Sequence, residues 1–265
     1  MASDGGVRRP GSLEGMGALV TGGASGLGEA TSRALAARGA RVAVVDLNTE
    51  RAESLVEELG DEAVALTADV SDEEQITDAV AGAREALGEL RVCVACAGVG
   101  WAERVVGREG PAKLEYFGNV MRVNVIGTYN ALRLSAAAMS QNEPDAEGQR
   151  GVVVMTASVA AFDGQIGQTA YAASKGAIVS LTLPAARDLS RIGVRVCTIA
   201  PGVFDTPLLG ALPQDNRDAL GAGVPFPPRL GRPADFGLLA CQIAENPYLN
   251  GETIRLDGAL RMAPR

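Results

Sequence analysis

In the segment TAYAASKGA, Tyr171 stands four residues before Lys175, in a chain with four tyrosines, two lysines and no histidine. Four residues make one helical turn, so on a helix the two side chains share a face and come within reach. A phenol titrates near ~10, and bringing it down about three units needs ~4 kcal/mol of phenolate stabilisation. A unit positive charge ~4 Å away supplies ~4 kcal/mol at an effective dielectric of ~20. One lysine therefore suffices to make a tyrosine a proton acceptor in a partly dry site. Arginine carries the rest of the positive charge, so a lysine here marks a place that needs a compact ammonium rather than a guanidinium fork. Ser158 closes an apolar run upstream of Tyr171. Its hydroxyl can hold a substrate oxygen, whereas a nucleophilic role is disfavoured without a histidine to activate it.

A second constellation lies near the other end of the chain. TGGASGLG, residues 21–28, follows a short apolar run and opens a helix-length segment. Gly22, Gly26 and Gly28 are spaced more widely than G-x-G-x-x-G, but they serve the same ends: a tight turn, close backbone approach and free N–H groups for a pyrophosphate. Asp46 ends the next apolar run, ~20 residues on, where a carboxylate accepts hydrogen bonds from ribose hydroxyls and repels a 2′-phosphate. No basic residue stands at 23–25 or directly after Asp46. The ligand expected is NAD rather than NADP.

These residues need a scaffold, and the chain alternates strand-like apolar runs with helix-length segments. Strands are expected at 17–21, to Asp46, to Asp69, at RVCVACAG, at GVVVMTAS, at VRVCTIAPG and at ETIRLD. Helices are expected at about 26–38, 49–59, to Leu87 behind a Ser71/Glu74 capping box, 114–139, around Tyr171, and 233–245. Residues 99–112 read as a charged, glycine-rich loop, and 203–232 as a Pro-rich irregular stretch. Continuous apolar strands belong to a parallel sheet covered on both faces. The fold class expected is α/β, a single doubly wound Rossmann-type domain over residues 15–265, behind a flexible leader at 1–14.

Composition excludes other classes. A net charge of −8 disfavours nucleic acid and anionic lipid as partners. The longest apolar runs are strand-length, short of the ~20 residues that span a bilayer, so a soluble, cytoplasmic protein is expected. Four cysteines are too few for a disulfide framework, and Cys93 and Cys96 on a strand point to opposite faces, unlike a redox pair. No metal is expected.

On TGGASGLG, the Tyr171/Lys175 pair and Ser158, the sequence resembles the short-chain dehydrogenase/reductase family over essentially all of the chain after its leader. The resemblance implies a seven-stranded parallel sheet in the order 3-2-1-4-5-6-7 and a homotetramer. It implies a catalytic set of Asn124, Ser158, Tyr171 and Lys175, with Asn124 of VNVIG holding a proton-relay water. It further implies cofactor contacts from Gly22, Ser25, Gly26, Leu27, Gly28, Asp46, Leu47, Asp69, Val70, Cys96, Ala97, Gly98, Tyr171, Lys175, Pro201, Gly202, Phe204 and Thr206, the last meeting the nicotinamide carboxamide. Ser158, Gln165 and Tyr171 are the implied substrate contacts. One departure stands out: where the family has N-x-A-G, this chain has Ala95-Cys-Ala-Gly98, read as a local packing change.

Within that family, NEPDAEGQRGVV, TASVAAFDGQIGQTAYAASKGAIV, TLPAARDL, IAPGVFDTPLL, VPFP and ENPYLNGETIRLDGALRM resemble the short-chain form of the 3-hydroxyacyl-CoA dehydrogenases, a group that also oxidises some hydroxysteroids and other alcohols. The resemblance implies an acyl-CoA thioester as substrate, chosen by 203–232 and the loop 162–168. The 99–112 region, with Arg104, Arg108 and nearby Lys113, resembles an insertion near the substrate entrance, where these residues would meet CoA phosphates, a solvated charged loop being the alternative reading. A hydroxysteroid or secondary-alcohol dehydrogenase of the same family is the alternative, and a non-catalytic NAD-binding scaffold the reading from another class.

Overall fold

The computed structural model describes residues 11–207, 209–210 and 213–264. Residues 1–10 of the expected leader lie outside the described residues. Its last part belongs to the packed unit: Leu13 is 3% exposed, and its carbonyl accepts the Met16 N–H at 3.0 Å.

A seven-stranded parallel sheet carries the fold. Its strands are β1 (Gly17–Thr21), β2 (Arg41–Asp46), β3 (Ala63–Thr67), β4 (Leu90–Ala95), β7 (Gly151–Thr156), β8 (Val194–Pro201) and β9 (Thr253–Leu256), in the order β3-β2-β1-β4-β7-β8-β9. Counted along these strands, this is the expected 3-2-1-4-5-6-7. A two-residue hairpin, β5 (Val106–Gly107) with β6 (Gly110–Pro111), interrupts the segment expected to be a plain loop.

Alternate strand residues feed opposite faces. Val92 and Val94 of β4 and Val152 and Val154 of β7 pack against α1 (Gly26–Ala36), α2 (Thr49–Leu59) and α8 (Pro233–Glu245). Cys93, Ala95, Val153 and Met155 pack on the other face against α3 (Glu73–Leu87), α5 (Gly127–Met139) and α6 (Thr169–Leu189). Ala95, the departure from the family pattern, is one of these core contacts and is 2% exposed.

Three local features differ from expectation. The helix expected over 114–139 is α4 (Leu114–Met121) and α5 joined by a π turn, Arg122–Ile126, that contains Asn124. The cap of α3 is Asp72, which accepts from the Glu74 and Gln75 N–H groups, because the Ser71 hydroxyl is taken by Asp69 at 2.6 Å. The 203–232 stretch contains a helix, α7 (Gln214–Ala222), and residues 208, 211 and 212 of it lie outside the described residues.

Candidate active site

Where β1 ends, Gly22 takes φ +62 and Gly26 φ +52, a region closed to most side chains. A Cβ on Gly22 would stand 2.8 Å from the Ala97 backbone, and one on Gly28 would stand 2.0 Å from the Gly22 carbonyl oxygen. The first turn of α1 begins after Ser25, whose side chain does not cap it. An uncapped helix start beside bare backbone is a cradle for an anion.

Asp46, at the end of β2, faces this cradle. One carboxylate oxygen accepts the Ala24 N–H and the other the Asn48 N–H, each at 3.0 Å. A cleft of about 440 Å³ runs along the carboxyl ends of β1, β2, β3 and β4. Its walls bring together Gly22, Ser25, Gly26, Leu27, Gly28, Asp46, Leu47, Asp69, Val70, Cys96, Ala97, Gly98 and Thr206, all named among the implied cofactor contacts, with Val99, Asn119, Arg122, Val123 and Pro207, which were not. Volume, bare glycine backbone and the ribose-ready carboxylate fit a dinucleotide. Pro201, Gly202 and Phe204 are not among its walls. A Cβ on Gly202 would meet Asp257 at 2.8 Å, and the Phe204 ring packs on Gly231.

Asp69 is tied down by its neighbours. It accepts from the Ser71 N–H and hydroxyl and pairs with Arg122 at 3.5 Å. The Ser71 hydroxyl bond, helped by Arg122, holds its carboxyl below the usual range against the opposing effect of burial. The Cys96 thiol accepts from the Thr156 hydroxyl, while Cys93 points to the Ala131 carbonyl. Burial pushes the two thiols up to about 11 and about 12, so neither is a thiolate near neutrality.

Two of the catalytic candidates, Asn124 and Lys175, lie behind Gly98, whose added Cβ would be 3.1 Å from Asn124 Oδ1 and 3.6 Å from Lys175 Nζ. Asn124 is wholly buried. Its Oδ1 accepts the Val99 N–H at 2.8 Å, and its Nδ2 donates to the Val99 carbonyl at 2.9 Å and the Ser174 hydroxyl at 3.0 Å. Ser174 in turn donates to the Tyr171 carbonyl at 2.7 Å. Both N–H donors of the Asn124 amide and one lone pair are thus spent on fixing the loop after β4 to α6. Ser158, 7% exposed, accepts the Ala160 N–H at 3.1 Å, which leaves its own proton free to donate.

Tyr171 and Lys175 do lie one turn apart on α6, with Nζ 5.7 Å from the centre of the phenol ring. The expected lowering of the phenol is not found: burial pushes Tyr171 up, with the Ser158 hydroxyl opposing. Lys175 is 4% exposed, its Nζ donates to the Thr156 carbonyl at 2.8 Å, and burial brings it down to about 8. The ammonium is directed at the strand carbonyl, and desolvation sets the direction of the phenol's shift. Gln165 lies in the loop that leads into α6, with its amide donating to the Ala263 carbonyl at 3.0 Å.

The family model for short chain dehydrogenases matches residues 17–217, which takes in every catalytic candidate. The chain belongs to the short-chain dehydrogenase family. This short-chain dehydrogenase is 52% identical to a 3-hydroxyacyl-CoA dehydrogenase type-2 of Drosophila melanogaster, over 93% of this chain and 97% of that one. Among solved structures it is similar to a 3-hydroxyacyl-CoA dehydrogenase type-2 from Mycobacterium avium, with a TM-score of 0.91 and 45% identity over 95% of this chain and 98% of that one. A 3-ketoacyl-(acyl-carrier-protein) reductase from Brucella melitensis, complexed with NADH, superimposes with a TM-score of 0.83 at 31% identity, covering 94% and 99%. Among its described residues the short-chain dehydrogenase has no helix long and apolar enough to cross a membrane.

Proposed function

We propose that this enzyme oxidises 3-hydroxyacyl-CoA thioesters to 3-ketoacyl-CoA with NAD, and runs the reverse reaction with NADH. The observation that carries this reading is its full-length likeness to 3-hydroxyacyl-CoA dehydrogenases type-2. The retained Asn124, Ser158, Tyr171 and Lys175 support it.

NAD, when bound, supplies a ring carbon that accepts hydride. The glycine turn and the α1 N-terminus would take the pyrophosphate, and Asp46 the ribose hydroxyls. Ser158 donates its proton to the substrate hydroxyl oxygen and holds it at Tyr171. Tyr171 takes the hydroxyl proton as the carbinol hydrogen leaves with its electron pair, so the C–O bond becomes a carbonyl. Lys175 would grip the nicotinamide ribose, and its charge together with that of the oxidised nicotinamide would offset the burial of Tyr171 and make it the phenolate that takes the proton. Asn124 keeps the β4 loop and α6 in register, the condition for all of this geometry.

An apolar rim suits an acyl chain. Trp101, Phe162 and Ile166 are each about half exposed, and a hydrogen bond from the Glu103 N–H to the Gly167 carbonyl joins the segments that carry them. Arg104, Arg108 and Lys113 remain the candidates for the CoA phosphates. A homotetramer and a cytoplasmic location belong to the same reading, and sedimentation at four times the chain mass would support the first. The deciding experiment is NADH consumption with acetoacetyl-CoA, wild type beside Tyr171→Phe. Turnover that the variant loses by about 10²–10⁴-fold supports the proposal. Turnover of a steroid or simple ketone in its place would move the assignment to the hydroxysteroid and alcohol branch.

A further inference from the structure

After β9 the chain reverses in a tight turn, Asp257-Gly258-Ala259-Leu260. The Leu260 N–H donates to the Asp257 carbonyl at 3.0 Å, and the two central residues take φ +60 and +67. Positive φ at both central positions is the signature of a type I′ turn, which favours Asn or Gly. Ala259 is the one non-glycine residue with positive φ among the described residues. Such a conformation costs about 1–2 kcal/mol and persists where surrounding contacts over-determine it.

Those contacts lead back to the active site. The Gln165 amide donates to the Ala263 carbonyl, and the Ile166 N–H donates to the Pro264 carbonyl, both at 3.0 Å. Arg255 of β9 holds the root of the same arrangement: its guanidinium bonds Asp163 at 2.6 Å, Asp257 at 2.7 Å and the Leu260 carbonyl at 3.0 Å, and lies 5.2 Å from the Phe162 ring centre. Arg261 adds a bond to Asp257 at 3.1 Å. The loop so held, 162–168, leads directly into α6 and rests on it, since a Cβ on Gly164 would stand 3.1 Å from that of Ala172, next to Tyr171.

We infer that residues 260–264 are a strap that fixes loop 162–168, orients Gln165 and thereby sets which acyl groups the substrate mouth admits. This rests on the proposed reaction only in taking Gln165 as a substrate contact. Backbone carbonyls of the strap do the holding, so its effect depends on the path of the chain, set at Ala259, rather than on side chains at 262–264.

The test uses the full chain, a chain ending at Leu260, and the single variants Ala259→Val and Ala259→Gly. Hydrogen exchange over 162–168 is expected to quicken about tenfold or more in the shortened chain, because the Ile166 N–H loses its acceptor. Valine, a poor fit to positive φ, is expected to act in the same direction, and glycine to slow exchange or leave it as it is. The KM for acetoacetyl-CoA is expected to rise several-fold in the shortened chain and the valine variant, with NADH affinity within about twofold of wild type. Unchanged exchange over 162–168 in a folded shortened chain, or quickened exchange with unchanged KM, would overturn the inference. Were the wild type inert toward acetoacetyl-CoA, the proposed reaction would fail, while the exchange arm would still decide whether the strap holds the loop.

Discussion

The Asn124 amide donates to the Ser174 hydroxyl at 3.0 Å, and that bond ties the π turn between α4 and α5 to the helix bearing Tyr171 and Lys175. Both residues are wholly buried. A π turn in mid-helix frequently marks a functional position. Here it sets Asn124 where one amide reaches the loop after β4 and α6 at once.

Replacing Ser174 by Ala strands an Asn124 N–H away from water, at a cost of about 1–3 kcal/mol. The thermal midpoint should fall accordingly, and kcat should fall more than KM rises, since the cradle for the dinucleotide is elsewhere. A Ser174→Ala enzyme with wild-type kcat would show that the link does not hold the catalytic geometry.

Lys175 gives the fold a pH dependence of known sign. Burial brings its ammonium from 10.5 to about 8. Between about pH 8 and 10.5 the unfolded chain binds the extra proton, so this group's contribution to stability rises with pH through that window. Below pH 8 the folded state carries the whole penalty, about 3 kcal/mol. Lys175→Met removes activity and, with it, this slope. Its stability relative to wild type should therefore decline from pH 8 to 10.5 in denaturant titrations, and a constant difference would contradict the assignment.

Asp46 is exposed to a test of cofactor choice. Its replacement by Ser should weaken NADH binding by about 1.5–3 kcal/mol, the worth of hydrogen bonds to a charged group, and should improve binding of NADPH by removing a repulsion. Fluorescence titration with both dinucleotides reads the two effects separately.

Gly28 allows no side chain, because its Cβ would overlap the Gly22 carbonyl oxygen at 2.0 Å. Gly28→Ala should cost about 1–3 kcal/mol in stability and open the turn that receives the pyrophosphate. NADH affinity should fall more than tenfold; retained affinity would place the pyrophosphate elsewhere.

Much of this molecule was legible in the residues themselves. β1 and α2 fall on the expected boundaries, because a run such as GALVT and a segment such as TERAESLVEEL, stopped by Gly60, leave little choice of structure. Other features carried no local signal. The π turn keeps helical composition, and only packing around Asn124 distinguishes it. α7 is a largely polar helix in a Pro-rich setting, held where Gly221 meets the backbone at Arg229 and Leu230. Ser71 and Asp72 are both good caps, and the choice between them was made by Asp69, a tertiary partner of Ser71. Spacing placed Lys175 beside Tyr171, but it could not show that the ammonium would be spent on the Thr156 carbonyl.

β4 pairs with β1 on one side and β7 on the other, so one strand stands between the glycine turn after β1 and Ser158 after β7. On the ribosome, a chain that has released only β1 to β3 owns the glycine turn but lacks the backbone at 96–98 that closes against it. The closed cradle therefore needs the chain at least as far as Gly98 in place against the glycine turn. At a hundred times its dissociation constant, a ligand adds about 2.7 kcal/mol to the form that binds it. A chain that ends before β4 lacks that contact and gains nothing from the ligand.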